Sequence, residues 1–190
     1  MLIVLGLCND LRKPIDILDF GGAFASLYFR NFDILNKINL NWNIVDQDKI
    51  VSSSKELFKN YNQLKFLTLD QLENSKCELE YDILYFGSSL QFIKNAEEVL
   101  RSLPTPSVQN IVIEQTPVVQ SGVSKITIQE VREPIYQSSY PSWHFAEDDL
   151  IEWVGDSFSL HFKSHSHQLQ CEGFDSSLKD YVFTKKTSIF

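Results

Sequence analysis

The sequence predicts an α/β protein built on a doubly wound parallel sheet, and three observations carry that reading. Strand and helix signals alternate through the first 115 residues, with short connections between them. The segment 81–87 (YDILYFG) is apolar through its middle, as a central parallel strand covered on both faces must be. An apolar run ending at Asp19 and Phe20 passes directly into Gly21-Gly22, which describes a buried strand turning sharply into a helix.

The elements follow in order. Residues 15–20 read as the first strand and 23–35 as its helix, with apolar positions at Phe24, Leu27, Tyr28 and Leu35. A second strand, 41–46, ends in an acid, and an amphipathic helix over 50–60 is capped within Ser52, Ser53 and Ser54. Residues 64–69 are the third strand and 81–87 the fourth. A helix over 96–103 is ended by Pro104 and Pro106, and 110–114 is the fifth strand. Beyond it, 124–131 alternates Ile126, Ile128 and Val131 with polar residues, as a strand or hairpin arm does. Residues 133–145 read as irregular and aromatic. A helix over 146–154 places Glu147, Asp148 and Asp149 in its favourable first turn, and 157–164 and 180–185 close the chain as strands. The expectation is a single domain over 1–190 with an aromatic, substrate-side insert at about 116–145. Residues 1–8 read as the end of a helix packed on the sheet, too short to span a bilayer, so the chain opens abruptly before its first strand.

Composition narrows the function. A formal net charge of −8, with Arg12-Lys13 and Lys185-Lys186 the only adjacent basic pairs, argues against nucleic acid and for a small or neutral substrate. Fourteen Phe point to a core or pocket rich in flat side chains. Cys8, Cys77 and Cys171 are odd in number and form no CxxC pair, so neither a disulfide framework nor a zinc ribbon is indicated. Reduced thiols and a cytoplasmic location are the simplest reading.

Chemistry concentrates at the tips of the first two strands. Asp19 and Asp46 lie 27 residues apart, and the acid after a second strand suits the hydroxyls of a ribose. A dinucleotide would lay its pyrophosphate over the glycine turn, where Asp19 would repel it. The turn also departs from G-x-G-x-x-G, having Ala23 and Ser26 at the later positions. A ligand bearing a cation, such as the amino group of S-adenosylmethionine, fits better.

The run LDFGGAFAS resembles the first motif of class I S-adenosylmethionine-dependent methyltransferases, an acid followed by spaced glycines. More narrowly, LDFGG, WNIVDQ, DILYFGSSLQFI, IVIEQTP and SYPSW resemble a bacterial family of methyltransferases of unassigned substrate. The resemblance implies a Rossmann-like, three-layer α/β/α fold with a seven-stranded sheet whose last strand is antiparallel. It implies S-adenosylmethionine as cofactor, with Asp19, Gly21, Gly22 and Ala23 around its methionine part and Asp46 on its ribose. Gln47 and the stretch Thr68-Leu69-Asp70 would flank the adenine, and Gly87 and Ser88 the sulfonium. Ala23 and Ala25 stand where the broader pattern has glycines, and a left-handed backbone there would be strained by roughly 1 kcal/mol or more. The acceptor is expected to be a small molecule or a glycan precursor; a catalytically silent partner subunit of the same fold is the alternative.

Acceptor-side candidates lie beyond the fourth and fifth strands. Ser88, Ser89 and Gln91 either position an acceptor or cap the next helix. Glu114 either acts as a base or pairs structurally. Tyr140 and His144 lie in the aromatic insert, and imidazole is suited to proton transfer near neutral pH. Tyr136, Tyr140, Trp143 and Phe145 form a pocket wall, a lid underside or an interface. His161, His165 and His167 share one strand face opposite Phe158, Leu160 and Phe162, which reads as a wet exterior rather than a metal site.

Overall fold

The computed structural model describes residues 13–74, 80–120, 122–131, 133–134 and 137–186. The expected N-terminal helix end at 1–8 and Tyr136 lie outside the described residues. Five strands run parallel: β1 (Ile15–Phe20), β2 (Leu40–Val45), β3 (Leu64–Leu67), β4 (Ile83–Gly87) and β5 (Asn110–Val119). They are ordered β3-β2-β1-β4-β5. The late strands β8 (Phe158–Leu169) and β9 (Ser176–Lys185) extend that sheet, with β9 antiparallel to both β5 and β8. Seven strands thus make the doubly wound path, and the last in sequence is the one that runs backwards. A hairpin of β6 (Lys125–Val131) and β7 (Ser138–Ala146) joins the end of β5 through Val118↔Phe145 and Val119↔Ala146, bringing the described strands to nine.

Alternation along β1 distributes its side chains between two cores. Leu18 faces one, with Leu84, Phe86, Ile111 and Ile113, covered by Leu100 of α5 (Ala96–Ser102) and Leu150 of α6 (Glu147–Val154). Ile17 faces the other, with Trp42, Ile44, Ile83 and Val112. Tyr28 of α1 (Ser26–Arg30), Leu35 of α2 (Phe32–Leu35) and Val51 of α3 (Asp48–Leu57) cover that side. Helices therefore cover both faces, as the apolar centre of β4 requires. Phenylalanine serves both cores; in the second, Phe29 packs on Phe58 and Tyr61 with ring centroids 5.0 and 5.1 Å apart. A further helix, α4 (Leu69–Asn74), follows β3, and Leu90–Phe92 form one 3₁₀ turn.

Five details differ from expectation. The helix expected over 50–60 with a cap within residues 52–54 instead starts at Asp48 after Gln47, so those serines lie inside it. The helix expected over 23–35 starts only at Ser26, because Ala23 and Ala25 are left-handed. It also breaks at Asn31, whose side-chain amide donates to the Leu27 carbonyl at 2.9 Å. β5 continues past Glu114 across a bulge at Gln115, whose N–H donates to Asp180 Oδ1 at 2.8 Å. The stretch expected to be irregular is strand β7, in which Pro141 is tolerated because residues 138–144 pair only with β6. β8 is an edge strand, paired only with β9, and its register shifts after Leu160 and after His165; of its three expected core positions only Phe158 is buried, while Leu160 and Phe162 are 39% and 37% exposed.

Candidate functional site

The strand order reverses direction beside β1, so the carboxyl ends of β1 and β4 open a crevice where doubly wound sheets place ligands. The glycine turn is locked into that crevice from three sides. Gly21 N–H donates to Val45 O at 2.8 Å, Ser89 Oγ donates to Phe20 O at 2.5 Å, and Ala23 N–H donates to Asp46 Oδ2 at 2.9 Å. Gly21 has φ +76°, and a Cβ there would stand 2.5 Å from the Ser89 Cβ; a Cβ on Gly22 would collide with the Asp19 carboxyl. The glycines are therefore needed because neighbouring protein atoms occupy the space.

Four non-glycine residues among those described have positive φ, and all four sit at this edge. They are Ala23 (48°) and Ala25 (57°) after β1, Ser88 (54°) after β4, and Gln115 (52°) in β5. Strain gathered at one edge of one sheet marks a functional region, because tertiary contacts must hold each such residue in place. The two alanines adopt the conformation that glycine would adopt without cost.

Asp19 lies beneath the turn, 2% exposed, and accepts a hydrogen bond from Trp42 Nε1 at 2.9 Å. Burial pushes its carboxyl up to about 7; the indole bond opposes this, and the charges of Asp46 and Glu114 add to it. Tyr85 donates to Glu114 Oε2 at 2.6 Å, and burial and Glu114 hold its phenol well above the usual range. Gly87 leaves room for that ring, since a Cβ there would meet Tyr85 Cε1 at 2.6 Å. Asp46, half-buried at the tip of β2, also accepts from Gln47 N–H at 2.7 Å. Three carboxyl groups thus make the floor electronegative, an environment that favours an arriving cation. At the tip of β3, Thr68 Oγ1 accepts from Gln71 N–H at 3.2 Å, and Leu69 is 41% exposed.

From the exposed Ser88, a cleft of about 900 Å³ runs beneath the hairpin, bounded by Gln91, Thr127, Ser142, His144 and Cys171 among others. Gln91 is buried and its Oε1 has no hydrogen-bond partner. His144 is also buried, with Nδ1 2.8 Å from Ser176 Oγ and Nε2 3.1 Å from Thr127 Oγ1; burial lowers its pKa. Tyr140 does not line the cleft but packs edge-on, at 5.3 Å, against Phe92, which does. Trp143 points to the other side of β7, where it lines a 460 Å³ depression with Trp153 and α5, so the structure does not bring it to His144. Among the described residues, no group of three or more His, Cys, Asp or Glu is gathered as a metal site.

No protein-family profile and no curated protein sequence matches the chain. Solved structures do. The N-terminal domain of EvdMO1 with SAH bound aligns at TM-score 0.63 and 10% identity, over 90% of this chain and 75% of that one. EvdMO1 was also crystallised in the presence of SAH and D-fucose. The glycopeptide N-methyltransferase MtfA complexed with S-adenosyl-L-methionine aligns at TM-score 0.57 and 8% identity, over 94% and 91% of the two chains. A SAM-dependent methyltransferase from Methanosarcina mazei aligns at 0.59 and 13%, over 94% and 96%. The chain has the class I methyltransferase fold. Within that fold Asp19, the glycine turn, Asp46, Thr68 and Ser88 occupy consecutive strand tips at one edge.

Trp42, Tyr85, Ser89, Thr127 and Ser176 complete this methyltransferase-fold edge and were not singled out for these roles by sequence. Trp42 and Tyr85 read simply as core positions of apolar strands. Only the registers Ile17↔Trp42 and Tyr85↔Val112 bring Trp42 to the Asp19 carboxyl and Tyr85 to that of Glu114.

Proposed function

We propose that the protein is an S-adenosylmethionine-dependent methyltransferase acting on a small molecule or a glycan precursor. The observation that carries this reading is the gathering of Asp19, Asp46 and Glu114 beneath a strained turn, at strand tips whose neighbours Ser88 and Gln115 line a large cleft. The residues fit the cofactor. Asp46 offers the second lone pair of each carboxylate oxygen to a vicinal diol, Leu69 an apolar surface to the adenine, and Asp19 a carboxyl poised to ionise beneath a cation. When bound, S-adenosylmethionine supplies an electrophilic methyl group.

The chain's own residues then orient an acceptor beside Ser88, with Gln91 and the hairpin walls providing position, which is the main requirement of the reaction. His144, kept neutral by burial, is the group suited to taking a proton from an acceptor hydroxyl. Glu114, already engaged by Tyr85, serves the floor rather than the acceptor. The wall is rich in neutral hydrogen-bonding groups, including Gln91, Gln129, Gln170 and Ser142, which supports a hydroxyl-rich acceptor. Crystallisation of the EvdMO1 N-terminal domain in the presence of SAH and D-fucose, and the naming of MtfA as a glycopeptide N-methyltransferase, are in keeping with that class. A cytoplasmic site of action accords with this chemistry; no helix among the described residues is long and apolar enough to cross a membrane.

A second reading, a silent partner subunit, is favoured by one observation: both Asp46 oxygens already accept backbone N–H groups. Calorimetry with S-adenosylhomocysteine separates the two. Micromolar binding that weakens at least tenfold in Asp46→Ala, about 1.4 kcal/mol, supports the enzyme. No binding supports the silent subunit.

A further inference from the structure

We infer that Ser176 is a positioning residue that locks His144 in the Nδ1–H tautomer and leaves its Nε2 lone pair facing the cleft. Two proton arrangements satisfy the contacts around the imidazole. In one, Nε2–H donates to Thr127 Oγ1, Thr127 donates onward to Ser142 O at 3.5 Å, and Ser176 donates to Nδ1. In the other, Nδ1–H donates to Ser176 Oγ at 2.8 Å, Ser176 donates to Val118 O at 3.0 Å, and Thr127 donates to Nε2 at 3.1 Å.

The second arrangement uses three bonds of ordinary length, whereas the first depends on one at the margin of a real hydrogen bond. Ser176 is 0% exposed, so its single proton has no competing partner in water, and Val118 lies on the rigid strand β5. The remaining neighbours do not reverse this order. Cys171 Sγ is 3.9 Å from Nδ1, and the Phe174 ring stands edge-on at 5.2 Å with Lys125 Nζ 4.4 Å above it.

The chain of donors thus runs from Thr127 on β6 through His144 on β7 to Ser176 on β9 and Val118 on β5, tying the hairpin to the main sheet. In the free protein, Thr127 holds the place at Nε2 that an acceptor hydroxyl takes. That last step rests on the methyltransferase reading, whereas the tautomer does not.

Long-range ¹H–¹⁵N spectra of the free protein test the inference, with His144→Gln identifying the His144 signals. The expected wild-type result is a proton-bearing shift at Nδ1 and an unprotonated one at Nε2. Ser176→Ala should mix the tautomers, and Ser176→Thr should restore the wild-type pattern. A wild-type spectrum with the proton on Nε2 would overturn the inference, even if Ser176→Ala did not fold; so would an unchanged pattern in a folded Ser176→Ala. Because the spectra require no cofactor, absence of S-adenosylhomocysteine binding would count against the proposed function and leave the tautomer result intact.

Discussion

Asp19→Asn should convert a pH-dependent weakness into a pH-independent one. The Asp19 carboxyl titrates at about 7 in the folded protein against an ordinary 3.8, chiefly because it is buried. The folded value lies above the unfolded one, so the folded state holds the extra proton between those limits. The stability that proton confers is complete below pH 3.8 and is lost as pH rises to about 7. At about 1.4 kcal/mol per pH unit, the full loss is about 4 kcal/mol, and about 3 kcal/mol of it falls between pH 5 and pH 8. Asparagine keeps an oxygen for Trp42 Nε1 and carries no charge, so its stability lacks this component. Urea unfolding of both proteins at pH 5 and pH 8 measures the effect as a change in their difference, which removes contributions common to the two. A difference between wild type and Asp19→Asn that stays constant across that range would refute the buried-carboxyl argument. The same substitution should weaken S-adenosylmethionine binding at least tenfold at pH 8, since the charge that destabilises the free protein is the one that favours a cation.

Other expectations follow from the same contacts. Binding of S-adenosylmethionine at pH 7 should release protons from Asp19, visible as a binding enthalpy that varies with the ionisation heat of the buffer; an enthalpy independent of buffer contradicts this. Ala23→Gly should relieve a left-handed alanine and leave stability level or raised by about 1 kcal/mol, while Gly21→Ala, at φ +76° and against Ser89, should cost about 2 kcal/mol or more in chemical denaturation. Glu147 accepts a hydrogen bond from the buried Tyr181 at 2.8 Å and pairs with Lys163 and Lys179, so Glu147→Ala should lower stability by about 2 kcal/mol. Burial opposes its ionisation but the Tyr181 and lysine contacts outweigh it, holding its carboxyl below its ordinary 4.5, so its contribution should fade as pH falls below that value. An equal deficit at pH 3 and pH 7 would contradict the assignment.

The sequence by itself determined the order of the five parallel strands along the chain, the Asp19–Gly21–Gly22 turn and the acid at the second strand tip. These are local facts: strand cores are continuous apolar runs, glycine marks a turn, and an acid ending a hydrophobic run has few places to go. It also flagged Ala23 and Ala25, whose departure from glycine is legible in a motif although their positive φ is not. Tertiary structure alone decided that Asp19 turns under the chain to meet Trp42, because that contact depends on the register between β1 and β2. It alone extended β5 through the Gln115 bulge, made a strand of 138–146 despite Pro141, and placed Trp143 and His144 on opposite sides of it. Pairing partners far apart in sequence impose those outcomes, and period-two patterns weaken where a strand has one free edge or a bulge. The Thr127–His144–Ser176 chain shows this most clearly, since its three residues come from three strands and acquire a shared proton arrangement only once the hairpin docks on the sheet.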